Sequence, residues 1–171
     1  GNRNKDGSRE PRQHNGEGAS RWNCCVRQRG KQSIGRSHGG LTTKIHMVTA
    51  SDRSVVTFTI TPGNVHDARP GRELLEAIGI GGDGCYLLMD RAYEGDETRM
   101  KAETFGFITV VPPKKNRKEP WEYDKELYKR RNEIERFFLR LKRFRRIFTR
   151  YDKLDQLFIG FIYFAMVTDA I

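Results

Sequence analysis

Apolar and polar positions change their period several times along the chain, and each change predicts an element. Leu41 to Ala50 and Ser54 to Thr61 are β-rich runs separated by Ser51, Asp52 and Arg53, which is the pattern of a hairpin. Pro62 and Gly63 end the second run, Asn64 to Asp67 form a polar turn, and Ala68 to Ile78 reads as a helix. Cys85 to Met89 is a short continuous apolar run suited to a strand covered on both faces, and Asp90 follows it directly. Glu94 to Phe105 then reads as a helix ended by Gly106, and Phe107 to Val111 as a buried strand stopped by Pro112 and Pro113. Two antiparallel strands followed by alternating helices and strands predict an α/β fold, a mixed sheet flanked by helices.

The most informative pattern runs from Tyr123 to Phe148, which predicts one long charged helix. Leu127, Ile134, Phe137, Phe138, Leu141 and Phe148 form its apolar stripe. Beside them Tyr128, Arg131, Glu135 and Lys142 fall within an arc of about 60° at the helical period. A carboxylate between a phenol, a guanidinium and an ammonium at the edge of a core could hold a metal ion while its neighbours grip phosphate oxygens. A solvated helix face with a few charge pairs has the same periodicity.

Charge narrows the class of partner. The 171 residues carry 32 Lys and Arg against 22 Asp and Glu, a formal charge of +10 and a pI near 9.8, so polyanions are the natural ligands. This balance alone does not separate an enzyme from a ribosomal or chromatin protein. The excess gathers in the first forty residues, in Lys114 to Lys118 and in Lys129 to Arg150. Residues 1–40 are rich in Gly, Arg, Asn and Ser with almost no apolar periodicity and read as a basic arm, leaving 41–171 as one domain. Cys24, Cys25 and Cys85 suggest no disulfide framework, which fits a reducing compartment. The N-terminus carries no secretory pattern, and the longest apolar run, Leu157 to Val167, is shorter than the roughly 20 residues of a membrane span and reads as a buried terminal helix. A cytoplasmic protein with no membrane partner is expected.

Asp90 at the end of a buried strand occupies the position where ligands gather in open α/β sheets, the lesser alternative being an Asp that caps the following helix. With Glu135 it gives two carboxylates from separate elements in a basic protein, as a Mg²⁺ site for phosphoryl transfer requires. A pair of metal ions would want a third acid.

These residues resemble the bacterial insertion-sequence transposases of the DDE type. Tyr128, Arg131, Glu135 and Lys142 match that family's Tyr, Arg, Glu, Lys signature in residue type and in all three gaps. Leu88-Met89-Asp90-Arg91-Ala92-Tyr93 looks like its second-acid motif, and Gly35 to Lys44 like its glycine-rich lead into the second strand. Thr61 to Asp67, Arg145-Arg146-Ile147 and Arg150 to Leu154 also resemble family segments, so the likeness covers nearly everything from Ser33 onward. It implies an RNase H-like fold and three acids that bind Mg²⁺ or Mn²⁺: Asp6, Asp90 and Glu135. It also implies double-stranded DNA as partner, at transposon ends and target, and a homo-oligomeric assembly in the bacterial cytoplasm. Tyr128, Arg131 and Lys142 would contact phosphates, and Lys114, Lys115, Arg117 and Lys118 would track DNA from a loop, although ordinary solvated charge explains that loop as well.

The first acid departs from the pattern. Asp6-Gly7-Ser8 matches in type, but Gly1 to Lys5 contains no apolar residue to build the strand that should carry it. The family's end-recognition region has no counterpart in this sequence, so a missing N-terminal region is expected. Two functions follow: a metal-dependent enzyme that cleaves DNA and transfers strands at insertion-sequence ends, or a catalytically inactive DNA-binding remnant of one.

Overall fold

The computed structural model describes residue 30 and residues 32–79 and 84–171. Asp6, Cys24 and Cys25 lie outside the described residues, and Cys85 is a free, exposed thiol. The first sheet orders its strands β1 (Gly35–Ser37), β2 (Gly40–Thr49) and β3 (Val55–Pro62), all antiparallel. β1 lies within the stretch read as loop. It turns into β2 through His38 and Gly39, and Gly40 takes a φ of 100°, which a residue with a Cβ would resist. Ile45 pairs with Ile60 and Met47 with Phe58 across β2 and β3, and all four pack against the main core.

Helix α1 (Ala68–Ile78) has the predicted limits. Pro70 sits in its first turn, where no N–H is needed, Leu74 and Leu75 are buried, and Gly79 closes it at a φ of 74° with its N–H on the Leu75 carbonyl. β4 (Tyr86–Leu88) and β5 (Ile108–Val110) form a parallel pair connected through α2 (Asp96–Thr104). The expected α/β alternation therefore holds, with the strands falling into two sheets among the described residues.

The single helix expected from Tyr123 to Phe148 is replaced by three: α3 (Lys125–Lys129), α4 (Asn132–Leu141) and α5 (Arg145–Phe148). The first junction is a tightening. The amides of Arg130, Arg131, Glu133 and Ile134 bond to carbonyls three residues back. The second is a true break at Phe144, whose backbone is extended. Packing explains it. Ile147 lies six residues after Leu141, so a straight helix would point it about 120° away from the core. Breaking the helix turns Ile147 inward beside Phe137 and Leu141 and leaves Phe148 exposed, the reverse of the predicted stripe.

Helix α6 (Asp155–Ala170) completes this core with Phe158, Ile162 and Ala165. Full burial of a side chain such as Phe137 or Phe158 stabilises the fold by roughly 1.5–3 kcal/mol. The expected buried terminal helix is buried on one face, while Leu157, Tyr163, Phe164 and Val167 are exposed. No helix among the described residues is long and apolar enough to cross a membrane.

Candidate active site

Asp90 follows β4, whose ladder continues through the Met89 N–H to the Val110 carbonyl. Its backbone is still extended, and its Oδ1 accepts the Arg91 N–H at 2.6 Å, capping a 3-10 turn over Arg91–Tyr93. The capping role and the site position are thus both occupied by one residue. Oδ2 faces the Arg131 guanidinium at 3.7 Å. The other arm of that guanidinium donates to Oε1 of Glu135 at 2.5 Å, one turn along α4. The tightened junction before α4 stacks Tyr128 under Arg131, with 5.5 Å between the guanidinium and the ring centre.

Two carboxylates from separate elements therefore meet at one cation. Burial works against the Arg131 charge, but Tyr128, Asp90 and Glu135 outweigh it and raise its pKa. Burial pushes the Tyr128 phenol up, and Arg131 partly offsets this. Both acids remain about half exposed, Asp90 at 57% and Glu135 at 51%. They open into a groove of about 1030 Å³ that Lys142 also lines. Its walls include residues 45–51, at and beyond the end of β2, and residues 84–90 around β4. From Thr43 to Thr49, the β2 edge away from β3 has no strand partner among the described residues, and neither has the β4 edge away from β5.

No cluster of three or more His, Cys, Asp or Glu side chains suited to a metal ion occurs among the described residues. Asp90 and Glu135 supply two hard oxygen donors, a set that suits Mg²⁺ with its remaining positions filled by water and phosphate. The transposase DDE domain family matches residues 6–168. The chain belongs to the DDE transposases. A Brucella ovis (strain ATCC 25840 / 63/290 / NCTC 10512) protein named as a transposase for insertion sequence element IS6501 is 33% identical over 127 residues, 73% of this chain and 95% of that protein. No solved structure matches. Transposition is the family's function, DNA its partner and a divalent metal its general requirement.

In this transposase domain the loop expected to track DNA is tied to the protein. Lys114 pairs at 2.9 Å with Glu94, whose side chain is only 6% exposed. Arg117 pairs with Glu94 at 3.4 Å and also with Asp96. Burial opposes the Glu94 charge, yet the bonds from Lys114 and the charge of Arg117 hold its carboxyl below the usual range. The guanidinium groups of Arg99 and Arg117 both lie over the Trp121 ring, whose Nε1 donates to the Val111 carbonyl at 2.9 Å. Lys115 is exposed.

Sequence reasoning missed a second cluster. His46 on β2 is 3% exposed, with Nδ1 2.8 Å from the Tyr93 hydroxyl and Nε2 2.8 Å from Thr61 Oγ1. A polar ring inside the run Ile45-His46-Met47 was the available signal, because a buried imidazole needs partners. Lys44 donates to Asp67 at 2.7 Å and to the Val65 carbonyl at 2.8 Å, so Asp67 makes a cross-element ion pair and no side-chain cap.

Proposed function

We propose that this chain is the catalytic part of an RNase H-like transposase that cleaves DNA at insertion-sequence ends and joins it to target DNA, using Mg²⁺ or Mn²⁺. What carries the reading is the meeting of Asp90 and Glu135, 45 residues apart in sequence, on the two arms of Arg131 at the mouth of one groove. Asp90 and Glu135 would hold the metal, and Asp6 is proposed as the third acid from the family pattern alone. A bound divalent ion supplies Lewis-acid stabilisation of the charge that builds on phosphate oxygens.

Arg131 is suited to bidentate contact with a phosphate, Lys142 to point-charge contact and the Tyr128 hydroxyl to a hydrogen bond. Water would attack the phosphodiester in line at the element's end, and the freed 3′ hydroxyl would then attack target DNA, with no covalent protein intermediate. Among the described residues Lys115 and Lys118 of the basic loop are exposed and enter no ion pair, which leaves them for DNA. A homo-oligomer holding paired ends, completed by an N-terminal DNA-recognition region, is the proposed assembly.

The test is Mn²⁺-dependent nicking of supercoiled plasmid by the chain beside its Asp90→Ala, Glu135→Ala and Asp6→Ala variants. Loss in all three supports a three-acid site. Nicking that survives only Asp6→Ala places the first acid elsewhere, and DNA binding without any nicking favours the inactive remnant.

A further inference from the structure

The Asp90 carboxylate is exposed, but the turn that aims it is anchored from inside. The Tyr93 N–H donates to the Asp90 carbonyl at 2.8 Å, closing the 3-10 turn whose first N–H, on Arg91, reaches Asp90 Oδ1. The Tyr93 ring is seated against α1: a Cβ on Gly71 would stand 2.5 Å from its Cδ1, so only glycine lets the ring approach. Its hydroxyl ends on His46, which Thr61 of β3 holds from the other side.

The protonation states suit a fixed link. Burial is the largest influence on His46 and lowers its pKa, with Lys44 acting in the same direction and Asp67 and Glu73 against it. Burial disfavours the charged ring, and a neutral imidazole can accept from one hydroxyl while donating to the other.

We propose that His46 and Tyr93 are positioning residues: their hydrogen bond fixes the 3-10 turn and so holds the Asp90 carboxylate, just after β4, in place from the β2–β3 sheet. This rests on the reading of Asp90 as a metal ligand. Partners that orient a metal ligand commonly affect metal affinity by about 10–100-fold. Neither residue touches the metal in this scheme, and their effect passes through the backbone of the turn.

The experiment compares the full chain with Tyr93→Phe, His46→Leu, His46→Asn and Asp90→Asn. It measures Mn²⁺ binding by calorimetry without DNA, and amide hydrogen exchange. Tyr93→Phe removes one oxygen and is expected to weaken Mn²⁺ binding about tenfold. The same change should speed exchange at the Arg91 and Tyr93 amides by about tenfold, the order of one hydrogen bond, while protection across β2 and β3 is retained. His46→Leu should do the same. His46→Asn, whose amide can take the place of Nδ1, should stay within about threefold of the parent.

Unchanged Mn²⁺ affinity and turn exchange in folded Tyr93→Phe would overturn the proposal. So would a uniform loss of protection across the domain with unchanged affinity, which marks a purely structural bond. If Asp90→Asn leaves Mn²⁺ affinity unaltered, the ligand reading fails. Turn exchange in Tyr93→Phe then still decides whether the His46 link holds the turn.

Discussion

Two arginines in this molecule sit in the same constellation and serve different ends. Arg117 touches two carboxylates, Glu94 and Asp96, and lies over the Trp121 ring; Arg131 touches Asp90 and Glu135 and lies over Tyr128. The cations are nearly equal in exposure, 24% for Arg117 and 22% for Arg131. The acids are not: Arg117 has one sealed partner, Glu94, beside the exposed Asp96, whereas both partners of Arg131, Asp90 and Glu135, open on the groove. A sealed acid uses up its cation as a structural counter-charge, while exposed acids leave theirs available to a ligand. Charge runs in a sequence cannot tell these cases apart, because burial of the partner decides.

The comparison breaks most visibly at Arg131. Arg131→Ala is expected to lower Mn²⁺-dependent nicking about a hundredfold, close to 3 kcal/mol of barrier. Its stability to urea should change by only about 0.5 kcal/mol, since both acids can turn to water. Equal losses of stability and nicking would make Arg131 a second anchor. Arg117→Ala should show the opposite split, a loss of about 2 kcal/mol in urea unfolding with nicking per folded molecule retained, because Glu94 stays buried with Lys114 alone.

Acid sharpens the contrast more gently. The folded-state pKa of Glu94 is lowered, so its contribution is present above its ordinary 4.5 and is lost as pH falls through the folded value. His46 is also lowered, from 6.5, so below that pH the unfolded chain binds more protons and the fold loses stability as pH falls. Melting curves should therefore decline first below about pH 6.5, and His46→Asn should flatten that first decline while leaving the later one. The smallest effect belongs to Lys115→Ala. DNA binding should weaken about twofold and the salt slope shrink by at most about one, with no change in stability.

Much of this was legible in the chain. The limits of α1 are written in Pro70, the Leu74–Leu75 pair and Gly79, all local signals. Asp90 could be placed at a strand end because the apolar run before it stops there, and Tyr128, Arg131 and Glu135 could be placed on one face by spacing alone. The break at Phe144 could not. It arises because Ile147 reaches the core formed with Phe158 and Ile162, and helical periodicity knows nothing of a helix that starts only at Asp155. Glu94 was likewise silent, since a charged residue shows its importance only through what surrounds it, and His46 offered no more than a polar ring within an apolar run.

The sequence by itself determined the α/β order of elements, the basic character and the membership in the DDE transposases, because period, composition and motif spacing are properties of the chain. Tertiary structure decided which charges are consumed and which are free. It seated Lys114 and Arg117 on Glu94, brought Asp90 and Glu135 to opposite arms of Arg131, and joined the Asp90 turn to His46. Burial and long-range contact set the strength of an electrostatic interaction, and both exist only once the chain has folded.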